Sequence, residues 1–293
     1  MKYSWFILSF IIYNVGWGQM NHPKASPFSR VEQKVGLSKI IIEYSRPSAR
    51  GRTLFGNQEN GEPGLVPYGR IWRVGANEST KISFDSDVII DNQELKKGIY
   101  ALYAFPEKDQ WQIVFHNNST HWGDGRTNYN PKEDALRILV LPIKTHDFQE
   151  TFLISFDELD HNRASMIWSW GNTQISIPIQ LDTKSIMQRQ IDKELSSSAS
   201  AQTFYETARY YQEQGIYLIE ALSYVDSAIE KGGDTYYYHR IRSLILADLN
   251  RYTEAIKVAE LSLELARKEG KDEFVRLNEN NIRKWQTLLP HNK

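Results

Sequence analysis

Residues 31–181 alternate apolar and polar side chains in short runs, and turn-forming residues interrupt these runs roughly every eight to twelve positions. Beyond Asp182 the period changes from two to the helical one. A chain built this way folds as β structure first and helix second. The expected strands are residues 39–45, 81–84, 88–90, 98–105, 111–116, 136–141, 151–156, 165–170 and 173–179. Turns are expected at Asp91-Asn92-Gln93, at Pro106-Glu107-Lys108-Asp109 and at Gly171-Asn172, which sits between two alternating runs. Many short strands at this spacing predict a mainly β N-terminal domain, an antiparallel, jelly-roll-like sandwich over residues 25–181.

Residues 182–202 read as a linker with one helix (184–195), in which Ser196 to Ser200 form a joint or a helix cap. Residues 203–293 form an all-α, tetratricopeptide-like region. Phe204, Ala208 and Tyr211 recur at helical spacing, as do Leu218, Leu222, Val225 and Ile229, and then Ile241, Leu244 and Ile245. Ala221 and Ala255 stand 34 residues apart, the period of tetratricopeptide helix pairs, and small residues there let helices approach closely. Asn250 occupies a position where such a repeat carries glycine, and no proline closes either unit. A plain helical bundle is the alternative. A last helix is expected over residues 273–289, anchored by Trp285.

The N-terminus has the layout of a secretory signal over residues 1–18. Lys2 precedes the apolar run of residues 5–13 (WFILSFIIY), and Gly16-Trp17-Gly18 supplies small residues for cleavage after Gly18. That run is shorter than the roughly 20 residues a spanning helix needs, so no membrane span is expected after cleavage. The implied location is periplasmic or extracellular. With no cysteine the chain has neither disulfides nor thiolate chemistry. Its net charge of −1 argues against bulk nucleic acid as a partner.

Residues 40–78 hold five arginines (Arg46, Arg50, Arg52, Arg70, Arg73), no lysine, and the aromatic residues Tyr44, Phe55, Tyr68 and Trp72. A planar, permanently charged fork serves where geometry matters more than solubility. Two readings stand side by side. Arg46, Arg52, Tyr68, Trp72, Arg73, Asn77, Glu78 and Trp122 could frame an anionic or carbohydrate ligand, or the arginines could pair internally with Glu43 and Glu78. Glu78 beside Asn77 could also act as an acid or base, as could His116, but a glycosidase needs a second carboxylate that the sequence does not identify. His116, His121 and Asp124 lie within nine residues of one another, yet their spacing matches no zinc signature, so no metal site is expected. Nucleophile elbows, phosphate loops and dinucleotide fingerprints are missing, so no cofactor is expected. Trp168 and Trp170, two apart on one strand, share a face and are expected in the core.

The ordered motifs Ala25-Ser26-Pro27, Gln33-x-Val35-Gly36, Ile42-x-Tyr44-Ser45-Arg46-Pro47 and Gly51-Arg52-x-x-Phe55-Gly56 are followed by Leu65-Val66-Pro67-Tyr68-Gly69 and Trp72-Arg73-x-Gly75-Ala76-Asn77-Glu78-x-Thr80. With Gly98-x-Tyr100-x-Leu102, Trp111, Asn117, Trp122-Gly123 and Glu150-Thr151-Phe152, the set resembles the bacterial secreted family of domain of unknown function 2911 over about residues 25–180. The resemblance implies a secreted β domain, sometimes with helical repeats, and no established activity. The stretch from Asn57 to Gly64 (NQENGEPG) is longer than the link typical of that family. Three functional classes follow. The leading one is a non-catalytic binding module whose helical repeats dock a protein partner. The others are a periplasmic glycan or ester hydrolase using Glu78 or His116, and a structural envelope component.

Overall fold

The computed structural model describes residues 22–123 and 126–289; the expected leader and its cleavage site lie outside them. The chain divides into two compact units at Thr183 and Lys184.

The first unit is made of two antiparallel sheets. Strands β1 (Phe28–Val35), β2 (Ser38–Ser45), β3 (Thr80–Phe84), β6 (Gly98–Pro106), β7 (Trp111–His116) and β8 (Asp134–Val140) form a six-stranded sheet in that order. Strands β4 (Val88–Ile90), β5 (Gln93–Leu95), β9 (Ile143–Asp157) and β10 (Arg163–Leu181) form the second sheet, in the order β5-β4-β10-β9. Alternation decides the inner faces. Ile40, Ile42, Ile82, Leu102, Ile113 and Phe115 from one sheet meet Phe152, Ile154, Trp168, Ile177 and Ile179 from the other in one continuous core. Asp91 and Asn92 take φ of 50° and 57° and close the β4–β5 hairpin, as side chains tolerant of the left-handed region do.

One expected turn is not a turn. Gly171-Asn172 lies inside the single long strand β10, whose register against β9 shifts on both sides of Gly171. Glycine at φ 59° produces a bulge here rather than a reversal. Leu54 packs so close that a Cβ on Gly171 would sit 2.6 Å from its Cδ1.

The 34 residues between β2 and β3 are stitched to both sheets. Ser48 bridges Thr151 on β9, and Trp72 exchanges two 2.8 Å backbone hydrogen bonds with Ala104 on β6. The segment thereby covers the free edge of β9, an edge that would otherwise be open to pairing.

The second unit contains α1 (Thr183–Leu195), α2 (Ala201–Gln214), α3 (Leu218–Gly232), α4 (Tyr236–Asp248), α5 (Tyr252–Lys268) and α6 (Asp272–Gln286). Ser200 caps α2 by accepting from the Thr203 amide. Each helix from α2 onward packs on the next, and α2 also touches α4. Ala221 and Ala255 are both fully buried, and Asn250 takes φ 61° between α4 and α5, doing the work expected of glycine. Trp285 packs with Leu246, Ala255 and Ala259. No helix among the described residues is long and apolar enough to cross a membrane.

Candidate functional site

Three of the arginines are tied to main-chain carbonyls. Arg46 Nε donates to the carbonyl of Phe152 at 2.8 Å, and Arg52 donates from Nε to Ala49 O at 3.0 Å and from Nη2 to Ser48 O at 2.8 Å. Arg50 reaches Ala25 O at 3.3 Å, and its amide donates to Glu150 Oε1 at 2.7 Å. Main-chain carbonyls, not the expected Glu43 and Glu78, receive Arg46, Arg50 and Arg52. Glu43 lies 4.0 Å from Arg30, and Glu78 pairs with Lys81 at 3.1 Å. A guanidinium carries five donors in a fixed fork, so it can satisfy loop carbonyls that no strand pairs.

Trp72 also departs from the ligand reading. It is 7% exposed and stacks on Trp170, with ring centroids 6.0 Å apart, while Phe152 and Trp111 lie edge-on at 5.2 and 5.9 Å. Such aromatic packing belongs to a core. Phe55 joins the same cluster, 4.9 Å from Trp111. Arg73 is half-buried, and its carbonyl accepts from the Thr80 amide. Tyr68 is exposed beside a shallow depression also lined by Lys108 and Lys144. The residues from Asn57 to Gly64 form a solvent-exposed loop closed by an Asn57–Pro63 bridge.

What remains in the open is the end of this segment. Val74 and Asn77 both have positive φ, 56° and 62°, and Gly75 has φ 139°. A β-branched residue in that region is strained and is held there only by its surroundings. Asn77 Nδ2 donates to Ser26 O and Ser45 Oγ at 3.2 and 3.0 Å, so this side chain fixes the loop and has little left for a ligand. The loop delivers Glu78 to the wall of a cleft lined also by Lys24, Glu43, Ser45 and Lys81. Glu78 forms an antiparallel bridge with Trp122, and the Gly123 amide donates to Asn77 O at 3.2 Å. Trp122 is 70% exposed. Two expected residues, Glu78 and Trp122, are thus brought together by main-chain pairing.

A second constellation lies on the outer face of β6, β7 and β8. Tyr103 and His116 project there because they alternate with the core residues Leu102 and Phe115. His116 is fully buried and ringed by Tyr103, His121 and Tyr129, at centroid distances of 5.6, 5.6 and 5.2 Å. Its Nδ1 is 3.0 Å from Asp134 Oδ1. Asp134 in turn accepts from Tyr129 Oη at 2.8 Å and from Arg137 Nη2 at 2.5 Å. His116 Nε2 makes no hydrogen bond, although Glu133 Oε2 stands 3.4 Å away. His121 Nδ1 lies 3.1 Å from Tyr103 Oη. One donor atom each from His116, His121 and Glu133 fall within 4.8 Å of one another. Asp124, the expected third member, lies outside the described residues. Glu133 takes its place, brought in by a 3-10 turn (Pro131–Glu133) capped by Asn130. Glu133 was not legible as a partner because it lies 17 positions further along the chain than His116, beyond a loop. Burial pushes the hydroxyls of Tyr103 and Tyr129 above the usual tyrosine range, and the hydrogen bond to Asp134 adds to this at Tyr129.

Fold and sites together define a two-sheet β domain with loop-borne polar clefts, joined in the chain to a helical region. Residues 26–179 match the model of the family described as protein of unknown function (DUF2911), and the chain belongs to that family. No curated protein and no solved structure gives a match.

Proposed function

We propose that the β domain is a secreted or periplasmic, non-catalytic binding module that takes a carbohydrate at Trp122 and the cleft bearing Glu78. The observation that carries this reading is the exposure of Trp122 while its backbone is clamped to Glu78. A large indole left open to water on a braced loop offers an apolar face on which a sugar ring can stack. A sugar ring offers C–H faces to stack and hydroxyls to hydrogen-bond. The cleft beside Trp122 supplies the carboxylates of Glu43 and Glu78, the ammonium groups of Lys24 and Lys81 and the Ser45 hydroxyl. An anionic ligand fits less well there, because the two carboxylates offset the two lysines, and Arg46 and Arg52 donate to backbone carbonyls.

The test is calorimetric titration with a panel of neutral and acidic glycans. Binding that falls at least tenfold in Trp122→Ala and also weakens in Glu78→Gln, with the glycan recovered uncleaved, supports the module. Equal binding by wild type and Trp122→Ala would remove it. Time-dependent cleavage that Glu78→Gln abolishes would favour the hydrolase.

The helical region belongs to the same proposal as a tetratricopeptide-like docking element. Its support is the burial of Ala221 and Ala255 at the repeat spacing and the glycine-like conformation of Asn250. Crosslinked partners that disappear when residues 200–293 are removed support docking; identical sets from both chains speak against it. For export, mass spectrometry of the mature protein should find Gln19 at the N-terminus.

A further inference from the structure

We propose that His116, His121 and Glu133 bind one divalent first-row transition ion, zinc being the type. This site goes beyond the carbohydrate reading and does not depend on it.

Two neutral imidazoles and a carboxylate are a donor set suited to borderline ions such as zinc, and poorly suited to calcium or magnesium, which take oxygen ligands. The separation of His116 Nε2 and Glu133 Oε2, 3.4 Å, is about that of two donors on one tetrahedral zinc with bonds of roughly 2.0–2.1 Å. His121, half-buried on its loop, offers the third donor, and one donor atom from each of the three residues lies within 4.8 Å of the others.

The buried ring of His116 supplies the independent argument. Its Nε2 is fully enclosed, stands 3.4 Å from Glu133 Oε2 and makes no hydrogen bond. A buried polar atom of this kind calls for a partner. A metal ion supplies it, whereas an ordinary structural histidine would be satisfied at both nitrogens.

The surroundings match what metal-bound histidines require. Asp134 takes the Nδ1 side of His116 and is itself held by Tyr129 and Arg137, so the ring is fixed with Nε2 on the Glu133 side. Tyr103 orients His121 in the same way. Three protein donors leave a fourth position for water or for a ligand group, the arrangement of an open site rather than a closed structural one.

The experiment uses the full-length mature protein, stripped with chelator and titrated with zinc by calorimetry, and with cobalt by absorption spectroscopy. Because His116 is buried, the test variants are Glu133→Gln and His121→Ala. We expect one equivalent of zinc per chain and tetrahedral cobalt d–d bands. Each variant should weaken zinc at least tenfold and lose the cobalt bands, while its metal-free melting temperature matches wild type. Wild type that binds no zinc overturns the proposal. So does zinc binding that both variants retain, since the ion would then sit elsewhere. A response to calcium or magnesium instead of zinc overturns the assigned class.

Discussion

Arg46 Nε and the carbonyl oxygen of Phe152 are 2.8 Å apart, joining the end of β2 to β9 across 106 residues of chain. The same strand pair is linked by Tyr44, whose hydroxyl accepts from the Ile154 amide at 3.0 Å. Two polar side chains two residues apart, Tyr44 in β2 and Arg46 just past its end, therefore fasten the six-stranded sheet to the four-stranded one.

Removing the first of these links leaves a carbonyl without its charged donor. Arg46→Ala is expected to lower stability by about 1–3 kcal/mol, and Arg46→Lys by less, since one ammonium replaces part of the fork. Urea denaturation of both variants checks this. An unaltered midpoint for Arg46→Ala would return Arg46 to the ligand-binding reading.

Trp72 and Trp122 should respond in opposite ways. Trp72→Ala opens a hole in the aromatic core and should cost about 3–5 kcal/mol. Trp122→Ala should leave the melting temperature within about 2 °C, because a surface change is usually worth within ±0.5 kcal/mol. Thermal unfolding of the two variants side by side decides it.

Gly75 has a conformational and a steric reason to be glycine. Its φ is 139°, and a Cβ there would lie 2.7 Å from the Ser45 carbonyl oxygen. Gly75→Ala should destabilise by at least about 1–3 kcal/mol and displace the Glu78–Trp122 bridge with it. The readout is Trp122 fluorescence together with the urea midpoint.

High pH should unfold the β domain earlier than its net charge alone predicts. Tyr129 and Tyr103 have hydroxyl pKa values raised by burial, so their folded values exceed the unfolded value of about 10. The stabilisation is complete below pH ~10 and is lost as pH rises toward the folded values, because the unfolded chain releases those protons first. Denaturation measured between pH 8 and 11.5 should show stability falling above pH ~10, with a shallower fall in Tyr129→Phe. A profile flat through that range contradicts the assignment.

Asn250 stands in for glycine with φ 61°. Asn250→Gly should be neutral within a few tenths of a kcal/mol, whereas Asn250→Val should cost about 1–2 kcal/mol. Helical signal during thermal melting measures both.

The sequence by itself determined what depends on near neighbours. Period-two alternation marked most of the strands but not β1, β5 or the first half of β9, the helical period placed α2 to α6, and Asp91-Asn92 marked a hairpin. The ordered motifs from Ala25 to Phe152 carry the family resemblance on their own. Gly171-Asn172 was misplaced as a turn: glycine permits a reversal and a bulge alike, and the choice lay with β9 and Leu54 packed against it. Tertiary structure decided everything that depends on a partner far along the chain. Whether an arginine meets a carboxylate, a ligand or a carbonyl depends on which backbone arrives beside it, and Phe152 arrives beside Arg46 only after two sheets have closed. Trp72 looked like a platform and became core, while Trp122 stayed outside, a difference no composition encodes. Glu133 joins His116 and His121 because a long loop returns to the sheet, and loop closure leaves no periodic trace in sequence.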